Sequence, residues 1–154
     1  MRVDKSEIKG KCLTFKIGPA LFGIPAVKVR GIFMAPQLTK VPLAPDGVRG
    51  VASFHGAIAP FVDLAARLGL ETENMTGVRL CAIAINIHND DDTPDIAVLV
   101  DEVADMASVS EEDILDVPGR DAPHILAVAR AAGSEIQILD VERLFPLKLE
   151  NGAR

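Results

Sequence analysis

The chain has 154 residues, 49% hydrophobic, 25% charged and 4% aromatic, with 16 basic against 22 acidic side chains and a net charge of −6. An acidic chain with six Phe, no Trp and no Tyr lacks both the cationic footprint and the stacking rings of a nucleic-acid binder. Its apolar content, together with 12 Gly and 10 Pro, argues against disorder and suits one domain or two small lobes around a shared core.

The segment Met1 to Glu7 is charged and has no signal-peptide apolar stretch, and no run approaches the ~20 apolar residues of a bilayer crossing. The expectation is a soluble, cytoplasmic protein without membrane insertion. Cys12 and Cys81 stand far apart with no CxxC context, the pattern of two small core thiols in a reducing compartment.

In chain order, Leu13, Phe15 and Ile17 alternate with Thr14 and Lys16, which predicts a half-buried first strand. Gly18-Pro19 turns the chain into a second strand at Phe22-Gly23-Ile24. Pro25 then suits the first position of a short helix through Val27, Val29 and Ile32. Gly47 to Phe54 and Ala57 to Val62 form a hairpin about His55-Gly56. Val78 to Ile87 is a near-continuous apolar strand, hence buried on both faces. The acidic loop Asn89 to Asp95 follows, then a strand from Ile96 to Val103. Ser110-Glu111-Glu112-Asp113 has the capping pattern of a brief helical turn. A last hairpin runs from Ile125 to Arg130 and Glu135 to Leu139, about Ala132-Gly133-Ser134. Asp63 caps a helix at Leu64 to Leu68 that Gly69 stops, and Asp140 caps one at Val141 to Phe145 that Pro146 stops. Many short strands with Gly and Pro turns indicate barrels or a sandwich.

An internal echo suggests two similarly built lobes, the alternative being chance similarity of two common caps. Ala57 to Leu68 and Glu135 to Leu144 both run the second strand of a hairpin into an Asp-capped helix, with apolar-Asp-apolar at the junction and Arg-Leu one turn later.

The chemistry-bearing residues do not assemble into a reaction centre. Ser53, His55 and Asp63 invite a hydrolase reading, but no nucleophile elbow surrounds them and Asp63 has work as a cap. Asn89 to Asp95 lacks the spaced acids, glycine and terminal Glu of a calcium loop and reads as a solvated loop of like charges. Two isolated cysteines and three scattered histidines make no zinc set, and no phosphate-binding glycine loop is present. No catalytic residue, metal or cofactor is therefore expected. His55, at a Gly-flanked hairpin tip, is either a recognition residue or an exposed turn residue. Val27 and Val29 are either core or the lining of an apolar groove.

The ordered segments resemble the CheW-like family of bacterial chemotaxis adaptors from about Leu13 to Leu147. Gly56-Ala57-Ile58-Ala59-Pro60-Phe61-Val62-Asp63-Leu64 is similar to its G-x-x-x-P-[IV]-[IV]-D-L, the most specific stretch. Phe22-Gly23-Ile24 with Val27-Lys28-Val29 resembles its second strand and the helix after it, and Lys40-Val41-Pro42 with Gly50-Val51 the lead into its central hairpin. Val98-Leu99-Val100-Asp101-Glu102-Val103 resembles its V-D-x-V strand, and Ile138 to Leu144 its closing strand and helix.

The resemblance implies a mainly β fold of two five-stranded SH3-like barrel lobes sharing a core, with a few short helices. It implies an N-terminal tail over 1–10, one domain of two lobes over 11–147 and a C-terminal tail over 148–154. It also implies a non-enzymatic adaptor between a CheA-type histidine kinase regulatory domain and a chemoreceptor cytoplasmic tip, in chemotaxis or in a pilus-motility or other receptor–kinase circuit. A small-molecule sensor using the cleft between lobes is the other class considered, and few polar groups converge to support it. On the family pattern, Val27, Val29, Gly31, Gly50 and His55 occupy the receptor-facing groove and hairpin tip. Two positions depart from it. Gly31 stands where the family's V-x-E-I has Glu, and His55 where its N-L-R-G has Arg, which implies altered receptor choice.

Overall fold

The computed structural model describes residues 10–45, 47–54, 56–70, 81–88, 91, 93–117, 122, 124–131 and 133–145. Eleven strands and two short helices occur among them: β1 (Gly10–Ile17), β2 (Ala20–Pro25), β3 (Val29–Met34), β4 (Val48–Phe54), β5 (Ala57–Asp63), α1 (Leu64–Leu68), β6 (Cys81–Ile85), β7 (Ile96–Val100), β8 (Glu102–Val109), β9 (Ile114–Asp116), β10 (Ile125–Ala131), β11 (Ser134–Leu139) and α2 (Val141–Leu144). The strands form a six-stranded sheet, β8-β1-β2-β11-β10-β9, and a five-stranded sheet, β3-β6-β7-β5-β4.

The mainly β expectation is thus met as two sheets, and the internal echo extends to their topology. Five strands match in order: β8-β1-β2-β11-β10 corresponds to β3-β6-β7-β5-β4. In each sheet the second strand of a hairpin makes a parallel pairing, β11 with β2 and β5 with β7. The sixth strand, β9, lies beside β10 as the isolated bridge Thr39–Val51 lies beside β4. Each sheet mixes strands from both halves of the chain, because β3 leaves β1 and β2 to join β6, and β8 leaves β6 and β7 to join β1.

By packing, the described residues fall into two compact units, one within Met1–Thr14, Leu21–Val27 and Asp105–Arg154, the other within Phe15–Ala20 and Lys28–Ala104. The first unit packs Cys12, Val109, Ile114, Ala127, Ala129, Ile136 and Ile138 together. The second packs Phe61, Ala82, Ala97 and Leu99, with Phe33 and Leu38 against them.

Several expectations are corrected. Pro25 does not open a helix reaching Ile32: it closes β2, a single 3-10 turn follows at Ala26–Lys28, and Val29 to Met34 is strand β3. The β-branched and aromatic side chains of Val29, Ile32 and Phe33 favour the pleat, and β3 pairs with β6 from Val29–Ile85 to Met34–Cys81. The first strand is not half buried, since Cys12 and Thr14 are as buried as Leu13 and Phe15. Thr14 tolerates this because its hydroxyl donates to the Asp105 carbonyl at 2.7 Å and accepts from the Asp105 N–H at 2.9 Å.

The expected strand Ile96 to Val103 is two strands divided at Asp101. There the Asp101 carboxylate accepts the Gly18 N–H at 2.5 Å and the Asp101 N–H donates to the Lys16 carbonyl at 3.1 Å, tying the β7–β8 junction to the β1–β2 turn. β8 itself escaped the sequence reading because it is largely exposed and its apolar residues do not alternate cleanly with polar ones. β6 is buried on both faces as expected, from Ala82 to Ile85; Val78 to Leu80 lie outside the described residues.

The helix caps form as the sequence predicts. Asp63 accepts from the Ala65 and Ala66 N–H groups, and Gly69 ends α1 in the left-handed region at φ 74°. Asp140 accepts from the Arg143 N–H at the start of α2, and Ser110 and Asp113 complete a reciprocal capping box around Glu111–Asp113. Ala132 and Pro146, expected at the last turn and after α2, lie outside the described residues.

Candidate functional site

Val-Arg-Gly occurs twice, as Val29-Arg30-Gly31 and Val48-Arg49-Gly50, and both copies form a β-bulge. Val29 opposes Ile85 and Gly31 opposes Ala84, so Arg30 is the extra residue; likewise Val48 opposes Val62 and Gly50 opposes Phe61, leaving Arg49 extra. A bulge re-aims the unpaired residue, and each arginine reaches a connection. Arg49 Nη2 lies 3.0 Å from Asp63 Oδ2, adding a charged partner to the buried cap of α1. Arg30 Nε donates to the Asp91 carbonyl at 2.9 Å, and its Nη1 to the Val29 carbonyl at 3.2 Å.

Within the stretch read as a solvated loop of like charges, Asp91, Thr93 and Asp95 are exposed as expected, and hydrogen bonds in addition hold them in place. Asn86 is 1% exposed, and its Nδ2 donates to Asp91 Oδ1 at 2.8 Å and to the Thr93 carbonyl at 2.6 Å. Asp91 Oδ1 also accepts the Thr93 N–H, and Asp95 Oδ2 accepts the Ile87 N–H. Leaving such a buried amide unpaired would cost about 1–3 kcal/mol, so these bonds fix Asp91 and Thr93 beside Asn86. Asn89, Asp90 and Asp92 lie outside the described residues, and among the described residues no group of acids, histidines or cysteines could hold a metal ion.

The residues expected at the partner face divide into distinct roles. Val27 sits on the 3-10 turn and is 59% exposed, which decides between core and surface in favour of surface. Val29 is half-buried at the start of β3. Gly31 lies beneath the ring of Phe54: a Cβ there would come 2.9 Å from Phe54 Cζ. Phe54 in turn stacks on Phe33, ring centroids 4.4 Å apart, and Phe33 meets Phe61 edge-on at 5.9 Å. β3 and β4 are opposite edges of their sheet, so this stack joins the two edges through side chains.

Gly50 is buried and holds φ 154°; a Cβ would meet the Thr39 carbonyl oxygen at 2.7 Å. Its glycine is required by the close approach of Leu38-Thr39, so Gly50 acts on the backbone beneath this face and offers no surface of its own. His55 lies outside the described residues.

Sequence reasoning missed the exposed apolar side chains of Ile32 and Met34 on β3 and Ile58 on β5, which are 49%, 74% and 75% exposed. Their signal was available as apolar residues on the outward phase of the strand alternation. The hydrolase geometry does not form. Ser53 pairs with Ile58, and Asp63 is five residues further along β5, about 17 Å at the usual strand rise. No helix among the described residues is long and apolar enough to cross a membrane.

Fold and surface together are those of a β-sheet domain: two sheets of matching topology, with Ile32, Met34 and Ile58 held outward on their strands. A family model, the CheW-like domain, matches residues 11–148, and the chain belongs to that family. It is 30% identical to the chemotaxis protein CheW of Rhizobium meliloti over 138 residues, 87% of this chain and 86% of that protein. It is 28% identical to the chemotaxis protein CheW of Treponema pallidum, covering 88% and 82% of the two chains. Protein FrzA of Myxococcus xanthus is 29% identical over 142 residues, with 84% and 81% covered. The crystal structure of the scaffolding protein TtCheW from Thermoanaerobacter tengcongensis has the same fold, with a TM-score of 0.76 at 22% identity over 91% of this chain and 94% of that one.

Proposed function

We propose that this chain is a non-enzymatic adaptor of chemotaxis signalling that couples the cytoplasmic tip of a chemoreceptor to the regulatory domain of a CheA-type histidine kinase. The observation that carries the reading is family membership across residues 11–148 on a scaffold with apolar side chains turned outward at Val27, Ile32, Met34 and Ile58. Ile32 and Met34 lie two residues apart on the edge strand β3, where outward apolar side chains offer a partner surface to bury. The adaptor works by position in the cytoplasm, as one domain over 11–147, holding receptor and kinase where a change in one alters the other. Val27, Val29, Gly31 and the hairpin tip at His55 form the receptor face, with Gly50 shaping it from beneath. Contacts of this transient kind bury about 1,000 Å² or less.

Calorimetry with the kinase regulatory domain tests the reading. Binding with a negative heat-capacity change is expected, as apolar burial requires; no heat at high micromolar concentration overturns it. ATP turnover by the purified protein that a single polar substitution abolishes overturns the non-enzymatic part.

A further inference from the structure

The connection between β6 and β7 is fastened to the first residues of β3 by bonds that the adaptor role does not itself require. The Asn86 N–H donates to the Lys28 carbonyl at 2.8 Å, and Lys28 Nζ donates to the Ile87 carbonyl. The buried Asn86 amide holds Asp91 and Thr93, and Arg30, thrown out by its bulge, holds the Asp91 carbonyl from the other side. Lys28, Arg30, Asn86 and Asp91 therefore close a ring of contacts around the segment that carries Val29 and Ile32.

We propose that Asn86 is a positioning residue for receptor docking: by fixing Asp91, and through it Arg30, it sets the course of Val29 to Ile32 presented to the receptor tip. This rests on the reading that the start of β3 faces the receptor. Asn86 does the fixing because its two amide hydrogens serve two acceptors, Asp91 Oδ1 and the Thr93 carbonyl, which brings the loop to Arg30 in one geometry. An edge strand with a bulge in its first turn has few ladder bonds to hold it, so a latch from the neighbouring loop decides its order.

The test uses the full chain with Asn86→Asp, Asn86→Asp/Asp91→Asn, Arg30→Gln and Val29→Asp. Each is measured for affinity to the cytoplasmic tip of the chemoreceptor the protein itself couples, affinity to the kinase regulatory domain, and amide exchange across Val29 to Ile32. Asn86→Asp sets two carboxylates face to face. It is expected to weaken tip binding at least tenfold, leave kinase binding within twofold and speed exchange in β3 but not in β5. The double variant lets an amide at position 91 donate to the carboxylate at position 86 but leaves that carboxylate against the Thr93 carbonyl, so it is expected to regain part of the lost affinity.

Unchanged tip binding and exchange in Asn86→Asp overturn the proposal, as does an equal loss for both partners or no recovery in the double variant. If Asn86→Asp fails to fold, Arg30→Gln decides: a severalfold loss of tip binding alone supports the latch, and no change overturns it. Val29→Asp separates the two ideas. If it leaves tip binding intact, the docking reading itself fails, whatever Asn86 does to exchange in β3.

Discussion

The ring of Phe54 occupies the space that a side chain at position 31 would need: a Cβ on Gly31 would sit 2.9 Å from Phe54 Cζ. The absence of a glutamate at Gly31 is thus tied to a large ring on the opposite edge strand. A small residue at 31 and a large one at 54 share one volume, which joins the edges of the five-stranded sheet where no ladder bond does.

Gly31→Glu is therefore expected to destabilise the fold by about 1–3 kcal/mol, the usual range for overpacking. Pairing it with Phe54→Leu should recover part of that loss, giving a coupling energy in a double-mutant cycle of denaturant melts. Additive single effects would show that the two residues do not share space.

Receptor choice follows from the same relationship. The chain is expected to bind ordinary chemoreceptor tips poorly, and Gly31→Glu/Phe54→Leu/His55→Arg to bind them more tightly in co-sedimentation. Equal binding by wild type and triple variant would mean that Gly31 and His55 do not set specificity.

Asp63→Ala removes the cap of α1 and the Arg49 partner together. Its expected cost, about 2–4 kcal/mol, combines a lost N-cap with lost charge-assisted bonds. Arg49→Ala should cost about 1 kcal/mol or less, because its side chain is half exposed and Asp63 keeps its two N–H donors. Urea melts of the two variants check the order.

Burial pushes the Cys12 thiol above its ordinary value of 9.0. The native state then holds its proton at a pH where the unfolded chain has lost it, so stability contributed by the neutral thiol is complete below about pH 9 and declines as pH rises beyond it. Melts from pH 7 to 10.5 should show that decline, reduced in Cys12→Ala. A thiol reagent at neutral pH should modify the more accessible Cys81 first.

Residues 10–70 and 81–145, made separately, are each expected to lack cooperative folding, and to regain it when combined. Each half lacks strands its sheets need: β1 requires β8, β2 requires β11, and β3 requires β6. Dispersed amide resonances from either half alone would contradict this.

Local rules read in the sequence determined a great deal here. Period-two alternation located most strands, and Asp63, Gly69, Asp140 and Ser110 marked helix ends, because caps and turns depend on residues within a few positions of one another. The motif around Pro60 to Leu64 carried the family for the same reason. Tertiary structure alone decided that Val29 to Met34 is strand, since β6 supplies its ladder, and that the largely exposed β8 is a strand, since β1 lies beside it. It decided that Gly50 lies under Thr39 and Gly31 under Phe54, that Arg30 and Arg49 are bulged onto distant connections, and that an acidic loop is latched by a buried asparagine. Each of these rests on groups brought together from distant parts of the chain, and the energy of a contact is absent from the sequence pattern until folding supplies the partner.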